Sequence, residues 1–327
     1  MDLEGQIQLF CFNPIRNLFY IFLLLLFIII FYFIYFFYYK NINIENNRIE
    51  ILKNSNLNQV SKQILYKHSN IEKILYNASL KIGYLFKLNI KYGEFNFKEN
   101  INLIDITKII SKPSNVYYEL KFIDGWNKYQ IDKLIYKNFK KNINFEYNEI
   151  LADTYNYNKT ENLDKIIKNI KKYKDFFFET NQDNELLKKY SINQIMTIAS
   201  LVEKEGFDDN DKKMISSVIF NRLNKKMKLQ IDASTIYAIT KGKYEFNRKL
   251  TLKDLKIEDK YNTYFIKGLP PKPICLISRK TIELVLENYK SNYLFYFYDK
   301  NLKKHVYSLD YKNHKNKLLT YRKKNNE

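Results

Sequence analysis

Residues 18–39 read LFYIFLLLLFIIIFYFIYFFYY, 22 residues without a single charge. Nothing else in the chain limits its architecture so strongly. As a helix rising 1.5 Å per residue, such a run spans roughly 33 Å, about one bilayer core. Tyr32, Tyr35, Tyr38 and Tyr39 crowd its far end, where interfacial aromatic rings belong. A cleaved leader would have a shorter apolar core and a small-residue cleavage site, and this run has neither. It reads as a permanent single-pass anchor preceded by a short tail, residues 1–17. Arg16 precedes the run together with Asp2 and Glu4, while Lys40 and Arg48 follow it. The positive-inside rule therefore does not orient it by itself.

The net charge is +20, which raises the question of a nucleic-acid partner. Only six of the 55 basic residues are Arg, and the lysines are scattered. Readers of base edges favour the Arg fork, and no homeodomain, zinc-finger or RRM signature is present, so no nucleic-acid partner is expected. The wealth of Lys, Asn, Ile, Tyr and Phe reads as compositional drift. Cys11 and Cys275 stand on opposite sides of the apolar run and cannot pair, and the chain has no disulfide framework or metal knuckle.

Beyond the anchor, residues 40–75 are Asn- and Lys-rich and predict a stalk leading into a first helix. Residues 76–116 mix the alternating KLNIKYGEFNF with a helical NLIDITKIIS stopped by Pro113, the pattern of a small α+β module. Residues 117–327 then form the main domain. VYYELKF (116–122) predicts a strand, the segment after Gly125 an amphipathic helix, and residues 162–179 another. Ser191 suits the cap of a helix whose apolar stripe is Ile192, Ile195, Met196, Ala199 and Val202. Gly206 suits a left-handed turn ending it. Asp209, Asn210 or Asp211 would cap the next helix, which buries Met214, Ile215, Val218 and Ile219. The acidic run DDND lacks the glycine and glutamate of a calcium loop, so capping is the better reading. YLFYFY (293–298) and KHVYS (304–308) predict a hairpin, followed by a basic closing helix. The fold class expected is α+β.

The segment IASLVEKEG (198–206) places two acids at the end of a core-like helix. An ideal wheel puts Glu203 near the middle of the apolar stripe and Glu205 about 160° away. A carboxyl beside an apolar face is desolvated, so its pKa rises and it keeps a transferable proton. Geometry alone nominates Glu203, although the wheel loses authority where the helix ends at Gly206.

IASLVEKEG, VIFNRLNKKMKLQIDAS, YNTYFIKGLPPKPI, YLFYFYDKNLKKHVYS and a final NH follow one another in the order and spacing of a known family. The chain resembles the YceG-like endolytic murein transglycosylases, strongly over about 191–315 and more weakly upstream. The resemblance implies an N-terminal anchor in the cell (inner) membrane, a cytoplasmic tail, a LysM-like module and an extracytoplasmic, periplasmic catalytic domain. It implies Glu205 as the catalytic acid, with Glu203 a supporting carboxylate, and a protein partner in the wall-synthesis machinery. Family members usually carry a small hydroxyl residue where Gly206 stands.

The same resemblance implies substrate contacts at Asn221, Gln230, Asp232, Tyr237, Tyr261, Asn262, Thr263, Tyr264, His305, Ser308 and His314. It differs from the family at Ala233, where Pro is common, and at Lys272, where Gly is. The implied substrate is the peptidoglycan glycan strand, cut between MurNAc and GlcNAc with no cofactor and no metal. One neutral carboxylic acid protonates the leaving oxygen and the sugar's own 6-hydroxyl attacks. The product is a 1,6-anhydro-MurNAc end. A hydrolase would instead need a second carboxylate at a set separation, for which Asp232 is the candidate. The opposed expectation is a membrane-anchored wall-binding or scaffolding protein whose site has decayed.

Overall fold

The computed structural model describes residues 14–325. Most of the expected N-terminal tail, including Cys11, lies outside the described residues. The described chain divides into two compact units, one extending to Tyr118 and taking in residues 158–160, the other built from the remainder.

In the first unit, helix α1 (Pro14–Ile34) passes into a single π-helical turn, Tyr35–Tyr39. The stretch Ile15–Tyr39 is long and apolar enough to cross a membrane, and its most apolar part is not buried by the protein. The end of the run behaves differently: Phe36 and Phe37 are buried in the unit's core. Strand β1 (Arg48–Ile51) is followed by α2 (Leu57–Ile64) and α3 (Asn70–Leu85). Strand β2 (Gly93–Asn96) returns antiparallel to β1, placing Ile49 opposite Phe95, and α4 (Leu103–Ile110) completes the unit. Tyr76, Leu80, Phe95, Leu103, Ile106 and Ile110 fill the core with the two phenylalanines.

A boundary between a stalk and a module at residue 75 is therefore corrected. It falls inside α3, an unbroken helix whose Tyr76 and Leu80 share one core with Ile49 and Ile51 from the supposed stalk. The alternating stretch at 87–97 forms a strand only over Gly93–Asn96. Gly93 explains the sharp start: its φ is +133°, and a Cβ there would come within 2.9 Å of the Ser114 Cβ.

The second unit begins within β3 (Tyr118–Lys121) and continues with α5 (Lys128–Phe139) and β4 (Thr154–Tyr157), which pairs with β3. Helices α6 (Leu163–Thr180) and α7 (Glu185–Lys189) lead to α8 (Ile192–Glu205), α9 (Asp209–Asn224) and α10 (Asp232–Thr240). After a long loop come α11 (Arg279–Leu286), the antiparallel hairpin β5 (Phe295–Asp299) and β6 (Lys304–Ser308), and α12 (Tyr311–Lys324). The architecture is mixed α+β.

The centre of this unit is α8. Ser191 caps it, its hydroxyl accepting from the Gln194 amide while the Gln194 side chain accepts from the Ser191 N–H. Every residue from Ile195 to Val202 is buried, against α9, α10 and α11. A helix enclosed on all sides offers its functional groups only at its ends, which is where the two acids stand.

Two local expectations are corrected at that end. Gly206 is not left-handed; its φ is −85° and its ψ 141°. Glycine is required there for space, because a Cβ would meet the Lys212 side chain and lie 3.1 Å from the Lys212 Cα. The cap of α9 is Asp208, whose carboxylate accepts from the Asp211 N–H at 2.9 Å. Asp211, once its own amide is bound, is free to use its carboxylate elsewhere.

Candidate active site

The acids of EKE have opposite surroundings. The Glu203 side chain is only 2% exposed and pairs with the Lys212 ammonium on α9. Its other oxygen accepts from the Ser278 N–H at 3.1 Å and the Ser278 hydroxyl at 2.9 Å, at the start of α11. Lys212 also donates to Thr281 at 2.9 Å. Glu203 thus ties three helices together, and both of its oxygens have partners.

Glu205 closes α8 and is partly buried. The Tyr296 hydroxyl on β5 donates to its Oε2 at 3.2 Å, and the Ala233 N–H at the start of α10 donates to it as well. Burial, reinforced by the nearby negative charge of Asp232, pushes its pKa up to about 6, against the opposing pull of Tyr296, His305 and Ala233. A carboxyl so held is protonated over much of the mildly acidic range and can release its proton near neutrality. Geometry at the helix end therefore reverses the wheel's nomination: Glu203 is paired with a lysine, and the acid whose pKa is raised is Glu205.

Asp232 is exposed at the first position of α10, where the helix dipole favours a negative charge. It accepts from the Tyr264 hydroxyl at 2.7 Å. Just before it, Gln230 is exposed with φ +52°, and its N–H bonds to the Thr263 carbonyl. Asp232 and Tyr264 are therefore brought to Glu205, with Gln230 beside them. A groove of about 260 Å³ in the same unit is lined by Lys204 and Ala233, the sequence neighbours of Glu205 and Asp232, and by Asn127, Gln130, Tyr237 and Tyr244. Tyr237 packs against Tyr261, ring centroids 4.7 Å apart.

Other expected contact residues are engaged within the protein. Asn262 and Thr263 are fully buried. The Asn262 amide donates to the Leu255 and Ile257 carbonyls, and its oxygen accepts from Thr235 and from the Tyr264 N–H. The Thr263 hydroxyl accepts from the Ile231 N–H and is shared with Ser234. These two residues hold the 255–264 loop against α10, which sets Tyr264 toward Asp232. Asn221 donates to the Ser291 and Tyr293 carbonyls at 2.8 and 2.9 Å and so fixes the approach to β5. Ser308 is buried at the end of β6. His314 on α12 stacks on Phe295, and burial, with Arg222 and Lys317 nearby, lowers its pKa.

His305 lies closer to the chemistry, its ring 5.2 Å from that of Tyr296 and its Nδ1 2.9 Å from Asp211. Among the described residues no group of three or more His, Cys, Asp or Glu side chains is placed to hold a metal.

Three contributors escaped the sequence. Tyr296 is one of several aromatics in YLFYFY, and only strand pairing singles it out. The Ala233 N–H is a backbone group without a side-chain signature. Arg222, within FNRL, is buried and donates to the carbonyls of Leu229 and Leu294 at 2.7 and 2.6 Å. It joins the segment before Asp232 to the one before Tyr296; the invariable charge of Arg beside aromatic rings is a legible hint.

The family model described as "YceG-like family" matches residues 49–319. An endolytic murein transglycosylase of Bacillus subtilis (strain 168) is 32% identical over 234 residues, which cover 71% of this chain and 63% of the relative. An endolytic murein transglycosylase of Streptococcus pneumoniae serotype 2 (strain D39) is 37% identical over 130 residues, 39% of this chain and 23% of that one. The chain thus spans less than two thirds of the length of these curated relatives. A crystal structure of a yceG-like protein from Listeria monocytogenes superposes with a TM-score of 0.52 at 26% identity, covering 83% of this chain and 98% of that one.

Proposed function

The chain belongs to the YceG-like family, and from that premise we propose that it is a membrane-anchored endolytic murein transglycosylase with Glu205 as its acid. The substrate is the peptidoglycan glycan strand, and the bond cut is the β-1,4 link from MurNAc to GlcNAc. The observation that carries the reading is the environment of Glu205: a carboxyl raised to about 6 by burial, with Asp232 and the Tyr296 hydroxyl beside it.

In this mechanism the neutral Glu205 gives its proton to the glycosidic oxygen as the bond to the anomeric carbon breaks. Positive charge grows on the MurNAc ring, and the Asp232 carboxylate favours it. The ionised Glu205 is stabilised by the Tyr296 hydroxyl and the Ala233 N–H, two donors that gain strength as negative charge develops. The MurNAc 6-hydroxyl attacks the anomeric carbon and its proton goes to Glu205, restoring the acid. Nucleophile and electrophile belong to one sugar, so high effective molarity replaces a positioned water. The products are a 1,6-anhydro-MurNAc end and a GlcNAc 4-hydroxyl.

We further propose that Ile15–Tyr39 anchors the chain in the cell membrane with both units on the extracytoplasmic side, and that the first unit serves as the LysM-like module. Purified full-length protein is incubated with glycan strands in ¹⁸O-labelled water and the new ends are weighed by mass spectrometry. Anhydro ends without label, abolished by Glu205→Gln, are expected. Labelled reducing ends would favour a hydrolase, a second reading that the closeness of Asp232 to Glu205 makes concrete. Turnover unchanged in Glu205→Gln would overturn both.

A further inference from the structure

We infer that Asp211 is a positioning residue for the acid, a clamp that fixes the β5–β6 hairpin to the turn after α8 so that the Tyr296 hydroxyl reaches Glu205. Asp211 lies in the first turn of α9, outside the residues that the family resemblance marks. A carboxylate there is ordinarily explained as a favourable charge at a helix N-terminus. Its bonding goes well beyond that.

Asp211 gathers donors from two elements. The Phe207 N–H, two residues after Glu205, donates to its Oδ2 at 3.1 Å. From β6 the Tyr307 hydroxyl reaches its Oδ1 at 2.6 Å, and His305 Nδ1 approaches its two oxygens at 2.9 and 3.1 Å. The Asp211 side chain is 13% exposed and that of His305 6%. Burial alone would raise the Asp211 pKa, but the bonds from His305, Tyr307 and Phe207 outweigh it and hold the group below its ordinary range. It is a permanent acceptor.

The strand pairing carries this to the site. Tyr307 is the cross-strand partner of Tyr296. Successive side chains alternate between the two faces of a strand, so His305 and Tyr307 share a face. The His305 ring meets the Tyr296 ring edge-on at 5.2 Å, and Phe207 stacks on the His305 ring at 5.3 Å. One carboxylate thus holds both ends of the Glu205–Tyr296 bond: the helix-end turn through Phe207, and the hairpin through its cross-strand pair. At 3.2 Å that bond has little length to lose.

The groups facing Glu205 are Tyr296 and His305 from the hairpin, Asp232 from α10 and Tyr264 from the loop before α11. Of these, Tyr296 and His305 depend on the clamp. Releasing Tyr296 removes a donor that favours the ionised acid, so the pKa of Glu205 moves up.

The test uses the full chain in detergent with ¹³C-labelled Glu side chains, the Glu205 signal being identified by its loss in Glu205→Gln. The Glu205 titration is followed in wild type, Asp211→Asn, Tyr296→Phe and the double variant, with kcat and KM measured alongside. In Asp211→Asn the Glu205 midpoint is expected to rise, and kcat to fall about tenfold with KM nearly unchanged. In kcat the double variant should match Tyr296→Phe, because the clamp acts on the acid's bond through that hydroxyl, while its midpoint rises at least as far as that of Tyr296→Phe, since His305 is released as well. An unmoved Glu205 midpoint in Asp211→Asn, or losses that multiply in the double variant, would overturn the clamp. The kinetic arm rests on the transglycosylase reading and the titration does not. A shifted midpoint in a chain that cuts no glycan would uphold the clamp and refute the activity.

Discussion

Asp232 holds the Glu205 proton in place: its negative charge is, after burial, the largest influence raising the pKa of that acid. Replacing it with Asn removes the charge and keeps the shape. The Glu205 pKa then falls, and the alkaline limb of the pH–activity profile, which reports loss of the acid form, moves to lower pH. A pH–kcat/KM profile of Asp232→Asn on glycan strands checks this; an alkaline limb that stays in place would remove Asp232 from the account.

A second consequence is thermodynamic. The Glu205 pKa is raised from an ordinary 4.5 to about 6 in the folded state. Between those values the folded protein binds more protons than the unfolded one, so stability falls as pH rises and the penalty is complete above about 6. Glu205→Gln lifts that penalty, which is at most about 2 kcal/mol. Thermal unfolding should show the variant more stable than wild type at pH 8 and nearly equal at pH 4. The protein gives up stability for a usable acid.

Glu203 and Lys212 form a buried pair, and removing one partner leaves the other charge uncompensated. Lys212→Met is expected to destabilise the second unit by about 3 kcal/mol or more. Denaturant unfolding measures it. Glu203→Gln should lower stability with less effect on the pH profile than any change at Asp232, since Glu203 does not figure among the groups that set the Glu205 pKa.

In the first unit the sign is reversed. Burial would raise Glu72 and Glu94, but Lys40 and Ser69 for the one, and Lys159, Tyr118 and Arg48 for the other, bring each down from 4.5 to about 2. Their contribution is present above pH 4.5 and lost as pH falls through the folded value near 2. Glu94→Gln should therefore be less stable than wild type at neutral pH but lose less further stability between pH 4.5 and 2, as circular dichroism would follow. A wild-type chain indifferent to pH between 4.5 and 2 would contradict this.

The helices and the terminal hairpin were legible because they rest on periodicity. Ser191 marked the start of α8, and the segment KHVYS matched its strand. The site was legible only where a side chain acts alone. The wheel nominated Glu203 as the acid, yet its pairing with Lys212 and Ser278 depends on helices brought together from nine and 75 residues away. Asn262 was expected to meet substrate because the family resemblance implied it. Its full set of internal partners comes from α10 and its own loop, and no local pattern announces them. Gly206 was explained by φ, whereas the constraint is the close passage of Lys212. In each case the missing information was tertiary.

The burial of Phe36 and Phe37 has a practical corollary. Lys40 is the obvious place to shear off the greasy N-terminal rod when a water-soluble preparation is wanted. A cut there would empty two phenyl-sized holes beneath Tyr76, each large-to-nothing loss being worth about 3 kcal/mol or more. The rod and the folded unit are one piece of masonry at their junction, and a trimmed version has to retain the last turn, with its outward tyrosines made polar, if it is to stand.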